Sequence, residues 1–237
     1  MKEKLLLSLL FLACFSASAQ EFKKQSSITL AAGPSFPVGA FADKDLYNDK
    51  SGLASVGGFA NLSYSYQFSK FFGATAAVGG RIHGVDKNAL GSYSLPTGSG
   101  ATMGIEASTW QFFSVMGGIF QTIPITSNEK LTFEVKEMIG VQFSNSPEIK
   151  VTGFIPGVGS LDGTEERQSV NSLAYALGLG FKYKLDSNIG LKLFGEYQGA
   201  SPKFTYTTTS PADAPVEQKM KQNTSAVNVG LGLAFGF

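Results

Sequence analysis

The sequence predicts an all-β protein, an eight-stranded antiparallel transmembrane β-barrel wound as an up-and-down meander. Three observations carry this. Apolar residues alternate strictly with small or polar ones, the period-2 mark of strands with two unlike faces. The connections between these stretches alternate short and long along the chain. Aromatic residues gather near strand ends, where a membrane-spanning barrel carries its girdles.

Composition agrees. The 237 residues include 28 Gly and 20 Phe, while charged residues make up 16%. That mixture suits strands with one face of small residues and one of large apolar ones. A formal net charge of +1 gives no bulk electrostatic reason to bind nucleic acid.

The chain opens as a secretory signal. Lys2 and Lys4 give a positive start, residues 5–15 an apolar core, and Ala17-Ser18-Ala19 a small-residue cleavage site before Gln20. The apolar stretch falls short of the roughly 20 residues a spanning helix needs. Residues 1–19 are therefore expected to be cleaved, leaving 20–237 as one barrel domain. Cys14, the single cysteine, lies inside this signal. A lipoprotein signal would lipidate it, but Phe11 stands where such signals carry Leu, and the Ala17-Ser18-Ala19 site is better formed. Cleavage after Ala19 leaves no thiol, which excludes disulfides, thiolate metal sites and cysteine catalysis together.

The strands follow in order. Residues 27–36 place Ile28, Leu30, Ala32 and Phe36 on one face. Val56, Ala60, Leu62, Tyr64, Tyr66 and Phe68 then alternate with Gly57, Phe59, Asn61, Ser63, Ser65 and Gln67. Next, Phe72, Ala74, Ala76, Val78 and Ile82 oppose Gly73, Thr75, Gly79, Arg81 and His83. Residues 109–123 are apolar on both faces, so their facing stays open, and a bulge is allowed there. Leu131, Phe133, Val135, Ile139, Val141 and Phe143 face away from Thr132, Glu134, Lys136, Gly140 and Gln142. Leu173 to Leu185 at odd positions oppose Ala174, Ala176, Gly178, Gly180, Lys182 and Lys184. Ile189, Leu191, Leu193 and Tyr197 oppose Gly190, Lys192, Glu196 and Gln198. The last strand sets Val227, Val229, Leu231, Leu233, Phe235 and Phe237 against Asn228, Gly230, Gly232, Ala234 and Gly236.

Short connections fall at Ser69-Lys70, at 126–130 and at 186–188. Long ones run through 37–53, 86–108, 144–169 and 200–223, rich in Gly, Pro, Ser, Thr and charge. Short periplasmic turns and long extracellular loops are the expected asymmetry, with both termini on the short-turn side. Alternation alone leaves open a lipocalin-like soluble barrel with its apolar face inward. Lipid outside is favoured because Gly, Ala and Ser beside Arg81, Glu134, Lys136, Lys182, Lys192 and Glu196 make a poor soluble surface. The same charges form either a paired network in the lumen or a set of solvated rim charges. Glu137 falls on the lipid side, so either a bulge turns it inward or it lies near an interface.

The alternating terminus Val229, Leu231, Leu233, Phe235 and Phe237 resembles the C-terminal signal read by the outer-membrane barrel assembly machinery. The opening Gly33-Pro34-Ser35-Phe36-Pro37-Val38-Gly39-Ala40-Phe41 resembles the first strand and loop of the outer-membrane β-barrel domain family, which includes small OmpX-like and OmpA-like porin-family barrels. The resemblance spans the whole mature chain. It implies integral residence in the outer membrane of a Gram-negative bacterium, contact with outer-membrane lipid, and delivery by the assembly machinery through the strand ending at Phe237. It does not extend to a peptidoglycan-binding domain.

For function, the long loops on a rigid scaffold point to adhesion, interaction or envelope structure without catalysis. A small porin is the alternative, although side chains just fill an eight-stranded interior. A lipid-modifying enzyme would need a His with Ser or a carboxylate. His83, with Asp86 nearby in sequence, is the sole histidine, and no triad is legible from spacing. Asp43, Asp45 and Asp49 lack EF-hand spacing, and no metal or cofactor is expected. Glu165, Glu166 and Arg167 read as a solvated loop tip, and Trp110 as an anchor at the outer interface, ahead of a sugar-binding ring.

Overall fold

The computed structural model describes residues 25–48, 50–91, 102–157, 159–210 and 213–237. The expected signal with its Cys14, and Asp49, lie outside the described residues. Among the described residues there are thirteen strands: β1 (Gln25–Pro37), β2 (Gly57–Gln67), β3 (Phe72–His83), β4 (Thr102–Ala107), β5 (Trp110–Pro124), β6 (Leu131–Asn145), β7 (Ile149–Ile155), β8 (Gly159–Glu165), β9 (Ser169–Lys184), β10 (Ile189–Ala200), β11 (Lys203–Ser210), β12 (Asp213–Lys221) and β13 (Ala226–Gly236).

Eight of them close an antiparallel barrel in the order β1, β2, β3, β5, β6, β9, β10, β13, returning to β1. This is the meander that the alternation and the family resemblance imply. Closure comes from β1 against β13, where Ile28 faces Phe235 and Leu30 faces Leu233. Ser26 and Phe237 exchange backbone hydrogen bonds of 3.1 and 2.9 Å, so no unpaired edge is left at that seam.

The faces are inverted relative to a soluble protein. Leu30, Ile139, Leu173 and Leu231 are each more than half exposed, while Arg81, Gln142, Asn228 and Ser35 are buried inside. Apolar side chains belong out of water, so an exterior of this kind is made for a lipid environment. The apolar face is thus not turned into the lumen, and the lipocalin-like alternative falls. Aromatic contacts ring the short-turn end, with Tyr64 and Phe237 centred 6.5 Å apart and Phe133 and Phe181 5.3 Å apart. Among the described residues no helix is long and apolar enough to cross a membrane, which says nothing about strands.

Three expectations from the sequence are revised. The strand that was apolar on both faces, β5, pairs continuously with β3 and β6, without a bulge. Trp110, Phe112, Met116 and Phe120 point inward, and Phe113, Val115 and Ile119 point out. Sequence alternation was masked because the lumen beside β5 is itself apolar.

Glu137 is not turned inward either. The β5–β6 and β6–β9 ladders run unbroken through it, pairing it with Ile119 and Leu177. It stands midway along the outward face of β6, with Phe133 and Val135 on one side and Ile139 and Val141 on the other.

The long connections are also less irregular than their composition implied. Parts of two of them form a three-stranded sheet, β4-β7-β8, and a third forms the β11-β12 ribbon. Their Gly, Ser, Thr and charge hid the strands, because β4 and β7 find each other across two different loops.

Close approach explains two glycines. Gly118 and Gly140 lie on facing parts of β5 and β6, close together but not in direct register. A Cβ at Gly118 would strike the Glu137 carbonyl, and one at Gly140 the Val115 carbonyl. Only glycine lets the two backbones come this near.

Candidate functional site

The lumen holds the chemistry, and it is layered. Nearest the short turns, Lys192 pairs with Glu134. Further in, the Lys136 ammonium lies 2.7 Å from the Glu196 carboxylate, and Glu196 is buried. Of the two alternatives left open by the alternation, pairing holds for these four residues, while Lys182 enters no ion pair among the described residues. Lys136 also sits 5.7 Å from the centre of the Phe194 ring. Above these pairs Met116, Met138, Ala174, Ala176 and Ala200 form a buried apolar cluster.

Arg81 does not join the acids through a hydrogen bond. Its Nη2 donates to the Thr224 carbonyl at 2.8 Å and to Gln142 Oε1 at 3.2 Å. Its guanidinium carbon lies 4.8 Å from the centre of the Phe112 ring, a cation–π contact. Gln142 in turn donates to Ser144 Oγ and Thr224 Oγ1. This network ties β3 and β6 to the segment before β13.

His83 is fully buried. Its Nδ1 donates to the Ser55 carbonyl at 3.0 Å, and its Nε2 lies 3.2 Å from Ser35 Oγ. Ser35 Oγ donates to Asn228 Oδ1 at 2.6 Å. A Ser–His contact thus exists that sequence spacing missed, because β1 and β3 meet only through the barrel's curvature. Among the described residues the imidazole Nδ1 is held by a carbonyl and not by a carboxylate, and Ser35 and His83 are both buried. Asp86, the neighbour in sequence, instead pairs with Lys44 at 2.5 Å.

Over His83 lies an aromatic plug. A short 3-10 turn at Gly39–Phe41 bends the first long loop inward and delivers Phe41, which is fully buried. Phe41 packs edge-on against Trp110 and Phe112, both at 5.6 Å between centroids, and against His83 at 5.1 Å. Phe204, from β11, closes the other side at 5.8 Å from Trp110. Trp110 is thus a plug residue and not an anchor at the outer interface. Its Nε1 donates to the Gly52 carbonyl at 3.0 Å, and it is buried. The parity of β5, invisible in sequence, decides this.

At the opposite end the barrel is open. A cavity of 340 Å³ enters between the short turns, lined by Lys182, Lys184, Lys192, Glu134, Thr132 and Asn188 among others. Glu134 and Lys192 border it, while Lys136 and Glu196 lie beyond its lining.

The acidic residues of the loops are used locally. Asn48 donates to Asp43 at 2.7 Å, and the Tyr47 amide donates to Asp45 at 2.9 Å. Arg167 donates to Ser108 Oγ at 3.1 Å and so joins two long connections. Among the described residues no group of three or more His, Cys, Asp or Glu side chains comes together.

No protein-family model matches this chain, and a comparison with curated proteins finds no match. Among solved structures the chain is similar to Ail, the attachment invasion locus protein of Yersinia pestis. Identity is 18%, coverage 91% of this chain and 100% of that one, and the TM-score 0.46. It is similar to Neisserial surface protein A at 10% identity, with the same coverages and a TM-score of 0.46. A major outer membrane protein from Thermus thermophilus follows at 14% identity, again 91% and 100% covered, with a TM-score of 0.43. At these identities and TM-scores the likeness carries no argument about what this chain does.

Proposed function

We propose that this chain is an integral outer-membrane barrel that works without catalysis, presenting its long-loop sheets to an extracellular partner. One observation carries the reading: strands β4, β7, β8, β11 and β12 stand on the barrel end that Phe41, Trp110, Phe112 and Phe204 seal. A sealed mouth opposes free diffusion, while ordered strands beyond it offer a fixed surface. Loops on a rigid scaffold are where such surfaces usually sit. β4 and β8 are the edge strands of their sheet, and an edge is where an extended partner can add a strand.

In this reading residues 1–19 are removed on export, and the strand ending at Phe237 is presented to the barrel assembly machinery. The outward apolar belt then meets outer-membrane lipid. The porin alternative draws on the open cavity at the short-turn end, but neither Lys136 nor Glu196 lines that cavity; they pair over Gly178 on the lumen wall beyond it.

The test is fractionation of the expressed protein with a heat-modifiability gel, followed by a cell-binding assay. Outer-membrane recovery with faster migration before boiling is expected, and replacing residues 149–165 by a short turn should abolish surface binding while keeping that shift. Steady ion current in planar bilayers, or recovery in the soluble periplasm, would overturn the reading.

A further inference from the structure

The short-turn cavity has a charge imbalance that the barrel itself does not resolve. Lys182 on β9 and Lys192 on β10 are register partners, directly opposite one another on the inward face. Like charges placed so are mutually destabilising. Lys184 follows two residues along, on the same face, opposite Gly190. Glu134 answers Lys192, and Glu129 in a turn answers Lys70 at 3.2 Å. Among the described residues Lys182 and Lys184 enter no ion pair. Glu196, the other acid of the lumen, is already taken by Lys136.

The placement concentrates this charge. The Lys182 chain lies over Gly190, whose missing side chain makes room for it. All three lysines border the same 340 Å³ space, with Thr132 and Asn188 supplying polar neighbours. The lining carries Lys70, Lys182, Lys184 and Lys192 against Glu129 and Glu134, and a cleft with an excess of one charge between low-dielectric walls raises the local concentration of counter-ions. Lysine is a mobile point charge suited to phosphate oxygens.

We propose that this mouth binds a phosphate-bearing anion between Lys182, Lys184 and Lys192. The bound oxygens relieve the Lys182–Lys192 repulsion, adding to the attraction that Glu134 exerts on both lysines. The phosphate belongs either to a soluble ester or to a lipid headgroup, since Phe237 and Ile189 give the cavity an apolar border. That the mouth faces the periplasm rests on the outer-membrane reading; the binding itself rests only on the barrel.

The experiment titrates inorganic phosphate into the folded barrel in a zwitterionic detergent, read by calorimetry and by 31P line broadening. Saturable binding is expected, weakened by roughly tenfold or more in a K182M/K184M double variant and restored by K182R/K184R. Glu134→Gln should tighten it, because Lys192 is then released. K87M, in a long loop, should leave it unchanged. Each variant is first checked for the heat-modifiable shift, so a misfolded protein is not scored. Non-saturating uptake, or equal affinity in K182M/K184M, would overturn the proposal. In nanodiscs, competition by phosphatidylglycerol assigns the site to a lipid phosphate, and undiminished binding assigns it to a soluble one. A protein that binds phosphate but fractionates as soluble would refute the membrane reading alone.

Discussion

Lys136 points into the barrel and meets Glu196 at 2.7 Å, on the strand whose very next residue, Glu137, points out. Inside, a charge has a partner from a neighbouring part of the sheet. Outside, the carboxylate is flanked across the ladders by Ile119 and Leu177.

The inner pair should be sensitive to losing one member. Glu196→Ala leaves the Lys136 ammonium without its acid in a partly buried site, at a cost of up to about 3 kcal/mol. Replacing both with Met should recover most of that, since an apolar pair of similar volume is often neutral or better. Denaturant unfolding in lipid vesicles, followed by Trp110, the single tryptophan, measures both. Unchanged stability in Glu196→Ala would remove the pair's structural role.

The outer carboxylate should behave oppositely. Glu137→Leu is expected to stabilise the barrel in lipid by about 1–2 kcal/mol, because acids at the midplane cost less than the roughly 2–4 kcal/mol of Lys or Arg. In a detergent micelle the gain should shrink. A loss of stability would mean that Glu137 has a partner on the membrane side.

The plug makes a prediction about current. Phe41→Ala removes a fully buried ring that touches Trp110, Phe112 and His83. A loss of about 3–5 kcal/mol follows from the cavity left behind, and a rise in single-channel openings should accompany it. If Phe41→Ala is as silent as the parent, the ion pairs and the Arg81 network close the lumen by themselves.

Backbone proximity gives the sharpest structural test. Gly140→Ala puts a methyl group against the Val115 carbonyl, so the β5–β6 ladder must shift. The expected outcome is loss of the heat-modifiable band. Gly163→Ala, where a Cβ meets open space, should leave that band intact.

One loop contact carries a pH dependence. A hydrogen bond from Lys44, helped by the Ala89 and Asn88 amides, holds the Asp86 carboxyl below the usual carboxylate range. A lowered folded value stabilises fully above the unfolded value of about 3.9, and the effect disappears as pH falls through the folded value. Because the pair sits at the surface, its worth is below about 1 kcal/mol. Amide exchange in residues 86–91, corrected for intrinsic rates, should speed up in that acid window, and Asp86→Asn should flatten the change.

By itself the sequence determined the strand set of the barrel, the sides of seven strands and the two kinds of connection. Those follow from local alternation, which survives in any barrel because a pleated strand sends neighbouring side chains to opposite faces. It also placed the inward charges on one face, so the paired interior was legible as a possibility. What only the tertiary structure decided are the relationships between distant strands. The parity of β5 turned Trp110 from an interface anchor into part of a plug. The curvature of the barrel brought Ser35 to His83, and pairing across two loops built the β4-β7-β8 sheet. Residue spacing carries no information about such meetings, because each depends on closure of the sheet and not on the residues between.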